Sequence, residues 1–318
     1  MRLFVTGGAG FIGSNYVRHV LASTDDEVTV FDSLTYAGNL ANLRDLEGGG
    51  RYHFVKGDIN DRTAVLEAMA GHGAVVHFAA ESHVDRSIVS PDEFVRTNCD
   101  GTNVIMDTAR HLEVERVLHI STDEVYGSIA HGSFRESDPL GPRSPYSASK
   151  AGSDLIALSY HSTYGLPVLI TRSSNNFGPY QYPEKVIPLF VTNLLDGKKV
   201  PLYGDGMNVR DWCYVEDNCA AIDLVLRRGA VGEIYNIGAG NEVPNRELTD
   251  RILALLRLDE SMIQPVDDRL GHDRRYSIDA TKVRSLGWRP ARQLDEALAA
   301  TVEWYRENRW WWEPLKAG

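Results

Sequence analysis

The sequence predicts an α/β fold, a doubly wound parallel sheet with a smaller C-terminal α/β portion. Three observations predict it. Short β-branched runs alternate with helix-spaced patterns through about residue 176. A glycine-rich turn, Gly8-x-Gly10-x-x-Gly13, joins the first such run to the first helical pattern. From residue 177 the alternation weakens and Gly, Pro and aromatic residues crowd together, as in Gly178-Pro179-Tyr180 and Pro201-Leu202-Tyr203-Gly204.

In chain order, residues 2–6 read as a strand, and Tyr16, Val17 and Val20 continue at helix spacing after Gly7-Gly8-Ala9-Gly10-Phe11-Ile12-Gly13. Glycines permit the tight turn and a close backbone approach, and a helix N-terminus offers free N–H groups and its positive dipole end to a pyrophosphate. In this strand–turn–helix context the pattern is a Rossmann-type dinucleotide fingerprint. The next strand, 28–31, ends at Asp32, nineteen residues after Gly13, close to the spacing of about 20 for an acid that takes the ribose hydroxyls. A carboxylate accepts from a 2′-hydroxyl and repels a 2′-phosphate, so NAD is favoured over NADP. A strand at 53–55, a helix at 63–69, a strand at 75–78 and a helix at 94–109 follow. Asp58-Ile59 and Ala79-Ala80-Glu81-Ser82-His83 then fall at strand C-termini, where such sheets bind ligands, and read as cofactor contacts or as ordinary polar loops. Residues 116–120 read as a buried strand and 167–171 as a further one ending near Ser173-Ser174-Asn175-Asn176. Beyond it, helices are expected over 185–195, 215–226, 246–256 and 294–305. The division drawn is 1–176 for a dinucleotide-binding domain with the reactive groups and 177–318 for a substrate-binding portion, across a boundary the chain is free to recross.

The strand at 116–120 delivers Ser121, Thr122, Asp123 and Glu124 one short loop ahead of Tyr146-x-x-x-Lys150. Tyr146 opens a helical pattern with Ala151, Leu155 and Leu158 at helix spacing. Positions i and i+4 lie one turn apart on one helix face, so the Lys150 ammonium is expected near the Tyr146 phenol, lowering its pKa and making a base for a substrate hydroxyl. Alone, a Tyr-x-x-x-Lys pair is weak evidence and a Thr-Asp-Glu run is most often a solvated turn. Their combination points to acid–base chemistry. Adjacent carboxylates can serve as acid and base at one pH only if their surroundings push their pKa values apart.

The 318 residues, 43% hydrophobic and 24% charged, are ample for a buried core, and a net charge of −11 argues against a nucleic-acid or anionic-membrane surface. Cys99, Cys213 and Cys219 form no C-x-x-C pair, which suggests neither a disulfide framework nor a zinc site and fits a reducing cytoplasm. No apolar run approaches about 18 residues and the N-terminus shows no signal pattern, so no membrane span or export is expected. Asn208-Val209-Arg210-Asp211-Trp212 and the run at 269–276 concentrate positive charge. Arginine forks suit diphosphate oxygens and aromatic rings stack on a base, a solvated loop being the competing reading. Trp310-Trp311-Trp312 reads either as a packed tail or as an interface patch.

Together the Gly7 to Gly13 loop, Ser121-Thr122-Asp123-Glu124-Val125-Tyr126-Gly127, Tyr146-Ser147-Ala148-Ser149-Lys150 and Gly271-His272-Asp273-Arg274-Arg275-Tyr276 resemble the extended short-chain dehydrogenase/reductases over essentially the whole chain. The likeness is greatest to the branch that dehydrates nucleotide sugars, and the Thr-Asp-Glu trio discriminates most, since related epimerases typically have no adjacent acid and base there. The resemblance implies a lyase that converts dTDP-glucose to dTDP-4-keto-6-deoxyglucose and water. In it Tyr146, assisted by Lys150, takes the C4 hydroxyl proton while hydride passes from C4 to NAD. Glu124 then takes the C5 proton as Asp123 protonates the departing C6 hydroxyl, hydride returns to C6, and Thr122 hydrogen-bonds the C4 oxygen. It also implies cofactor contacts at Gly7, Gly10, Phe11, Ile12 and Gly13, at Asp32, Ser33, Leu34 and Thr35, and at Asp58, Ile59, Ala79, Ala80, Ser82, Thr97 and Asn176, with Tyr146 and Lys150. Ser82, Thr122 and Asn175 are implied to contact the sugar. Lys185, Val186, Pro201, Tyr203, Arg210, Asn245, His272 and Tyr276 are implied to hold the nucleotide diphosphate. No metal is implied. A homodimer through helices near 91–110 and 146–164 is. A UDP-sugar 4-epimerase or nucleotide-sugar decarboxylase is the alternative, leaving Asp123 beside Glu124 unexplained, and a non-enzymatic NAD-sensing protein would need only the glycine loop.

Overall fold

The computed structural model describes residues 1–268 and 272–317; residues 269–271 of the basic run lie outside the described residues. In β1 (Arg2–Thr6), Leu3 and Val5 belong to the core on one face of the sheet and Phe4 to the core on the other, and all three are fully buried. A strand covered on both faces is apolar throughout, as are β2 (Glu27–Asp32), β4 (Ala74–His77), β5 (Arg116–Thr122) and β6 (Val168–Ser173) over most of their length, while β3 (Tyr52–Lys56) is a more exposed edge. The short β7 (Asn175–Phe177), β8 (Val200–Tyr203) and β9 (Val209–Tyr214) leave this sheet, and β10 (Ile234–Ile237) returns to it. The resulting order is β10-β6-β5-β4-β1-β2-β3, all parallel. β11 (Glu242–Pro244) pairs antiparallel with β9, β7 pairs parallel with β9, and β12 (Ile263–Val266) pairs parallel with β8.

The helices are α1 (Phe11–Ser23), α2 (Arg62–Met69), α3 (Val84–Val89), α4 (Pro91–Val95), α5 (Thr102–His111), α6 (Pro145–Tyr164), α7 (Val186–Leu195), α8 (Val215–Arg228), α9 (Asn245–Leu256), α10 (Thr281–Ser285), α11 (Leu294–Glu307) and α12 (Arg309–Ala317). Tyr16 and Val17 of α1 and Ile222 and Val225 of α8 close one face of the sheet; Val65 of α2, Ile105 of α5 and Ala157 of α6 close the other. β10 and α8 therefore complete the N-terminal sheet from beyond residue 177. A separate core around Phe177, Phe190, Leu248, Leu298, Tyr305 and Trp312 builds the remainder.

One local expectation is corrected and one is refined. The helix expected over 94–109 is α4, a π-helical turn at Arg96–Gly101, and α5. This widened turn lets Asn98 face the loop after β4: its side chain accepts from Glu81 N at 2.8 Å and donates to Glu81 O at 3.0 Å and to Ser149 Oγ at 2.8 Å. In α6, Ala151 is buried but Leu155 is 59% exposed, so the apolar spacing does not mark one buried face. α6 starts where its sequence dictates, with Pro145 in the first turn and a Ser144–Ser147 capping box, and stops at Gly165 in the left-handed conformation (φ 72°).

Candidate active site

β1 and β4 are neighbours at the point where strand order reverses, and their C-terminal ends open into a cleft. Gly7, Gly10, Phe11, Ile12 and Gly13 line it, as do Asp32, Ser33, Thr35, Asp58, Ile59, Ala79, Ala80, Ser82, Thr97, Tyr146, Lys150 and Lys185. Glycine is required at two of these positions. A Cβ on Gly7, whose φ is +68°, would meet Ala79 N at 2.6 Å, and one on Gly13 would meet Gly7 O at 2.3 Å. Gly10 caps α1 without a side-chain bond, which leaves first-turn N–H groups for a ligand. Asp32, buried, accepts from Ala9 N at 2.9 Å and Leu34 N at 2.8 Å. Burial pushes its carboxyl above the ordinary range, and those two bonds oppose the shift. Leu34, with φ 56°, thus meets Asp32 through its backbone and does not line the cleft; nor does Asn176, whose amide donates to Ser174 O at 2.9 Å. The cradle kept open at Gly7 and Gly13 and the buried Ser121 Oγ, which has no protein partner, fit an NAD.

Thr122 ends β5, and its hydroxyl accepts from Glu124 N at 3.2 Å, starting the tight turn Asp123–Tyr126. The same hydroxyl donates to Asp123 Oδ1 at 3.3 Å, while the buried Asp123 Oδ2 has no protein partner. Burial, then the charge of Glu124, hold the Asp123 carboxyl well above the usual carboxylate range. Glu124 is half-buried. Lys150 lies one turn beyond Tyr146, but its Nζ donates to Ile120 O at 2.7 Å. The expected lowering of the Tyr146 phenol is not met. Burial raises it, the charges of Glu124 and Asp123 add to the shift, and a hydrogen bond with Thr122 opposes it. Burial also lowers Lys150 to about 8.

The remaining substrate contacts implied by the resemblance fall in two places. Lys185 Nζ donates to Ser82 O at 2.9 Å across the cleft, and Val186 begins α7 directly behind it. Pro201 and Tyr203 of β8, Arg210 of β9, Asn245 at the start of α9, and His272 and Tyr276 do not line that cleft. They gather around a strap over 272–276, where the Tyr203 and His272 rings lie edge to face at 6.2 Å and Asn245 N donates to Asn208 O at 3.0 Å. The Arg210 guanidinium sits 4.2 Å from the Tyr276 ring centre and donates to Asp273 O at 2.9 Å. The charge of Arg210 acts on Asp123 and that of Glu124 on Tyr276, so the strap borders the acid–base pair. Asn175 Oδ1 and Asn245 Oδ1 are buried without protein partners.

Sequence reasoning quoted Asp273 without giving it a role and missed Arg143; the two pair at 3.1 Å and pin the strap to the loop before α6. It also missed Asn42, Tyr180 and Leu315 in the cleft, and left Trp311 unassigned although it lines the cleft too. No local pattern gives these residues their roles, because each reaches the site from a separate element.

Residues 4–301 match the family model for GDP-mannose 4,6 dehydratase. The chain belongs to that family. Within this dehydratase family it is 56% identical over 323 residues to a dTDP-glucose 4,6-dehydratase of Streptomyces antibioticus, covering 99% of this chain and 96% of the relative. DesIV, a dTDP-glucose 4,6-dehydratase of Streptomyces venezuelae solved with NAD and TYD bound, is 58% identical with a TM-score of 0.97, over 99% of this chain and 100% of that one. A UDP-glucose 4-epimerase of Thermus thermophilus, solved with NAD, is also similar, at 32% identity and a TM-score of 0.89 over 97% and 100%.

Proposed function

We propose that the chain is an NAD-dependent hydro-lyase that converts dTDP-glucose to dTDP-4-keto-6-deoxyglucose and water. The observation that carries it is the adjacent pair Asp123 and Glu124 beside Tyr146 and Lys150, with the carboxyl of Asp123 held well above the ordinary range by burial. NAD held in the cleft by the glycine loop and Asp32 would supply the hydride acceptor for C4 and the hydride donor for C6. Tyr146 accepts the C4 hydroxyl proton as a phenolate, a form that burial disfavours in the chain alone and that the positive charge of a nicotinamide bound in the cleft would favour; Thr122, at the end of β5, positions the C4 oxygen. The ketone so formed acidifies C5–H. Glu124 takes that proton, and Asp123, whose burial favours the protonated carboxyl, gives its own to the leaving C6 hydroxyl; once hydride is added at C6, Glu124 returns a proton to C5. Arg210 and Tyr276 hold the nucleotide portion beside the acid–base pair. An epimerase of similar fold needs no such elimination pair, and the chain's greater identity to the dehydratases favours the lyase.

The reading extends to location and assembly. Three unpaired cysteines, two of them buried, suit a reducing cytoplasm. Ile88, Val89, Val95 and Leu155 expose apolar side chains on α3, α4 and α6, which pack against one another, and this face suits pairing with a second copy. Incubating the protein separately with dTDP-glucose and UDP-glucose and identifying products by NMR tests the reaction. The 4-keto-6-deoxy product is expected from dTDP-glucose; a 4-epimer or no change would overturn the reading.

A further inference from the structure

Trp311 lies in the last helix, more than 290 residues from the glycine loop in sequence, yet it lines the same cleft. Its indole Nε1 donates to Asn42 Oδ1 at 2.7 Å, and Asn42 Nδ2 donates to Ala9 O at 2.8 Å. Ala9 stands between Gly8 and Gly10. Its carbonyl also accepts from Asn39 N at 3.0 Å, and its N–H goes to Asp32 Oδ2 at 2.9 Å. Both ends of this residue are therefore held. An indole N–H can only donate and a carbonyl can only accept, so a side chain between them needs one acceptor and one donor, and the two partners fix the orientation of the Asn42 amide. Trp311, Asn42 and Ala9 are all buried, which makes the loss of either bond costly. Trp311 is itself fixed in the C-terminal core, with the rings of Trp304 at 5.2 Å and Tyr180 at 5.8 Å.

We propose that Trp311 is a positioning residue for the dinucleotide: through Asn42 it holds the glycine loop in its ligand-ready shape, so that α12 retains the bound cofactor. The inference rests on NAD occupying the cleft, as in the proposed function, but not on the reaction. A loop held in its bound conformation loses less freedom when the dinucleotide binds, and its release is correspondingly slow. The arrangement also makes the two cores meet at the cofactor, because Trp311 belongs to one and Ala9 to the other.

The test is the rate at which NAD leaves the purified holoenzyme after dilution, read by filtration and quantitation of the released dinucleotide. Trp311→Phe keeps a packed ring and removes the N–H; it should release NAD about five-fold faster, the effect of one neutral hydrogen bond. Asn42→Leu should accelerate release at least as much, and the double variant no more than Asn42→Leu alone, since both residues act through one relay. Trp310→Phe, on an exposed neighbour, should release NAD at the native rate. Native release by Trp311→Phe, or additive effects in the double variant, would overturn the proposal. Should Trp311→Phe not fold, hydrogen exchange of the native protein decides: removing NAD should raise exchange in 309–316 together with 7–13, and indifference of 309–316 would refute the relay. A native protein that binds no NAD overturns this proposal and the cofactor reading together; one that binds NAD without dehydrating sugar sinks only the reaction.

Discussion

Asp123 and Glu124 are chain neighbours with different surroundings, and that difference is what the proposed chemistry requires. Asp123 is buried, which holds its carboxyl well above the usual carboxylate range and favours the protonated form, whereas Glu124 is half-buried. Replacing Glu124 with Gln keeps size and removes basicity. If Glu124 takes the C5 proton only after the ketone forms, the variant should still reduce its NAD but turn over about 10² to 10⁴ times more slowly, the usual loss for a general base. Run in heavy water, native enzyme should place solvent deuterium at C5 of its product, and the variant should not; near-native exchange would move the base elsewhere. These two residues were legible in the sequence because they follow directly on a strand end, and Tyr146 with Lys150 because an i, i+4 spacing is local. The sign of the Tyr146 shift was not, since it is set by burial and by carboxylates whose proximity spacing does not report.

Behind the site, β4, β5, β6 and α6 share a buried polar network. His77 of β4 contacts Thr6 Oγ1 at 2.6 Å and Thr102 Oγ1 at 3.1 Å, and its ring lies 5.3 Å from that of His119 on β5. His119 Nε2 is 3.0 Å from Ser153 Oγ and 3.4 Å from Asp154 Oδ1, and Arg172 of β6 donates to Asp154 Oδ2 at 2.8 Å and to Tyr126 OH at 2.8 Å. Burial lowers His119 from the ordinary 6.5 to about 4 and His77 well below its ordinary value, while Arg172, His119 and Lys150 hold Asp154 below the usual carboxylate range against its burial. Both imidazoles are neutral in the fold and take protons on unfolding, so stability is full above about pH 6.5 and falls as the pH drops toward 4. Asp154 adds its own loss only in the acid range, through its lowered folded value. For His119 the shift corresponds to about 2 to 3 kcal/mol between pH 7 and 4. Urea titrations at pH 7 and pH 5 should show the native protein weakened at the lower pH and a smaller drop for His119→Gln; equal drops would refute the assignment. None of this network was legible in the sequence. His119 reads there as one position in a strand, and its partners depend on parallel register, which pattern alone does not supply.

At the scale of the molecule, the N-terminal sheet depends on the C-terminal half for β10 and α8, and the C-terminal helix reaches back to the glycine loop. The alternation of strands and helices made the sheet legible as far as β6, but the recrossing follows from tertiary packing that has no local signal. The same limit applies to α6. Its spacing marked a helix but not which face is buried: Lys150 and Ala151 turn inward while Leu155 is exposed, as are Val89 (83%) and Val95 (52%) on α3 and α4, which pack against α6. If this face pairs two copies by a twofold axis, each substitution acts twice, once from each copy. Burying an aliphatic side chain of this size contributes about 1.5 to 3 kcal/mol, and an unpaired carboxylate in its place adds a desolvation cost. Leu155→Asp should therefore weaken the dimer at least 100-fold, as sedimentation velocity across a dilution series would reveal. Because Lys150 and Tyr146 lie on the same helix, activity per chain should fall with the dimer fraction as well. A variant that sediments like the native dimer at nanomolar concentration would remove α6 from the interface, and a monomeric native protein would remove the dimer itself.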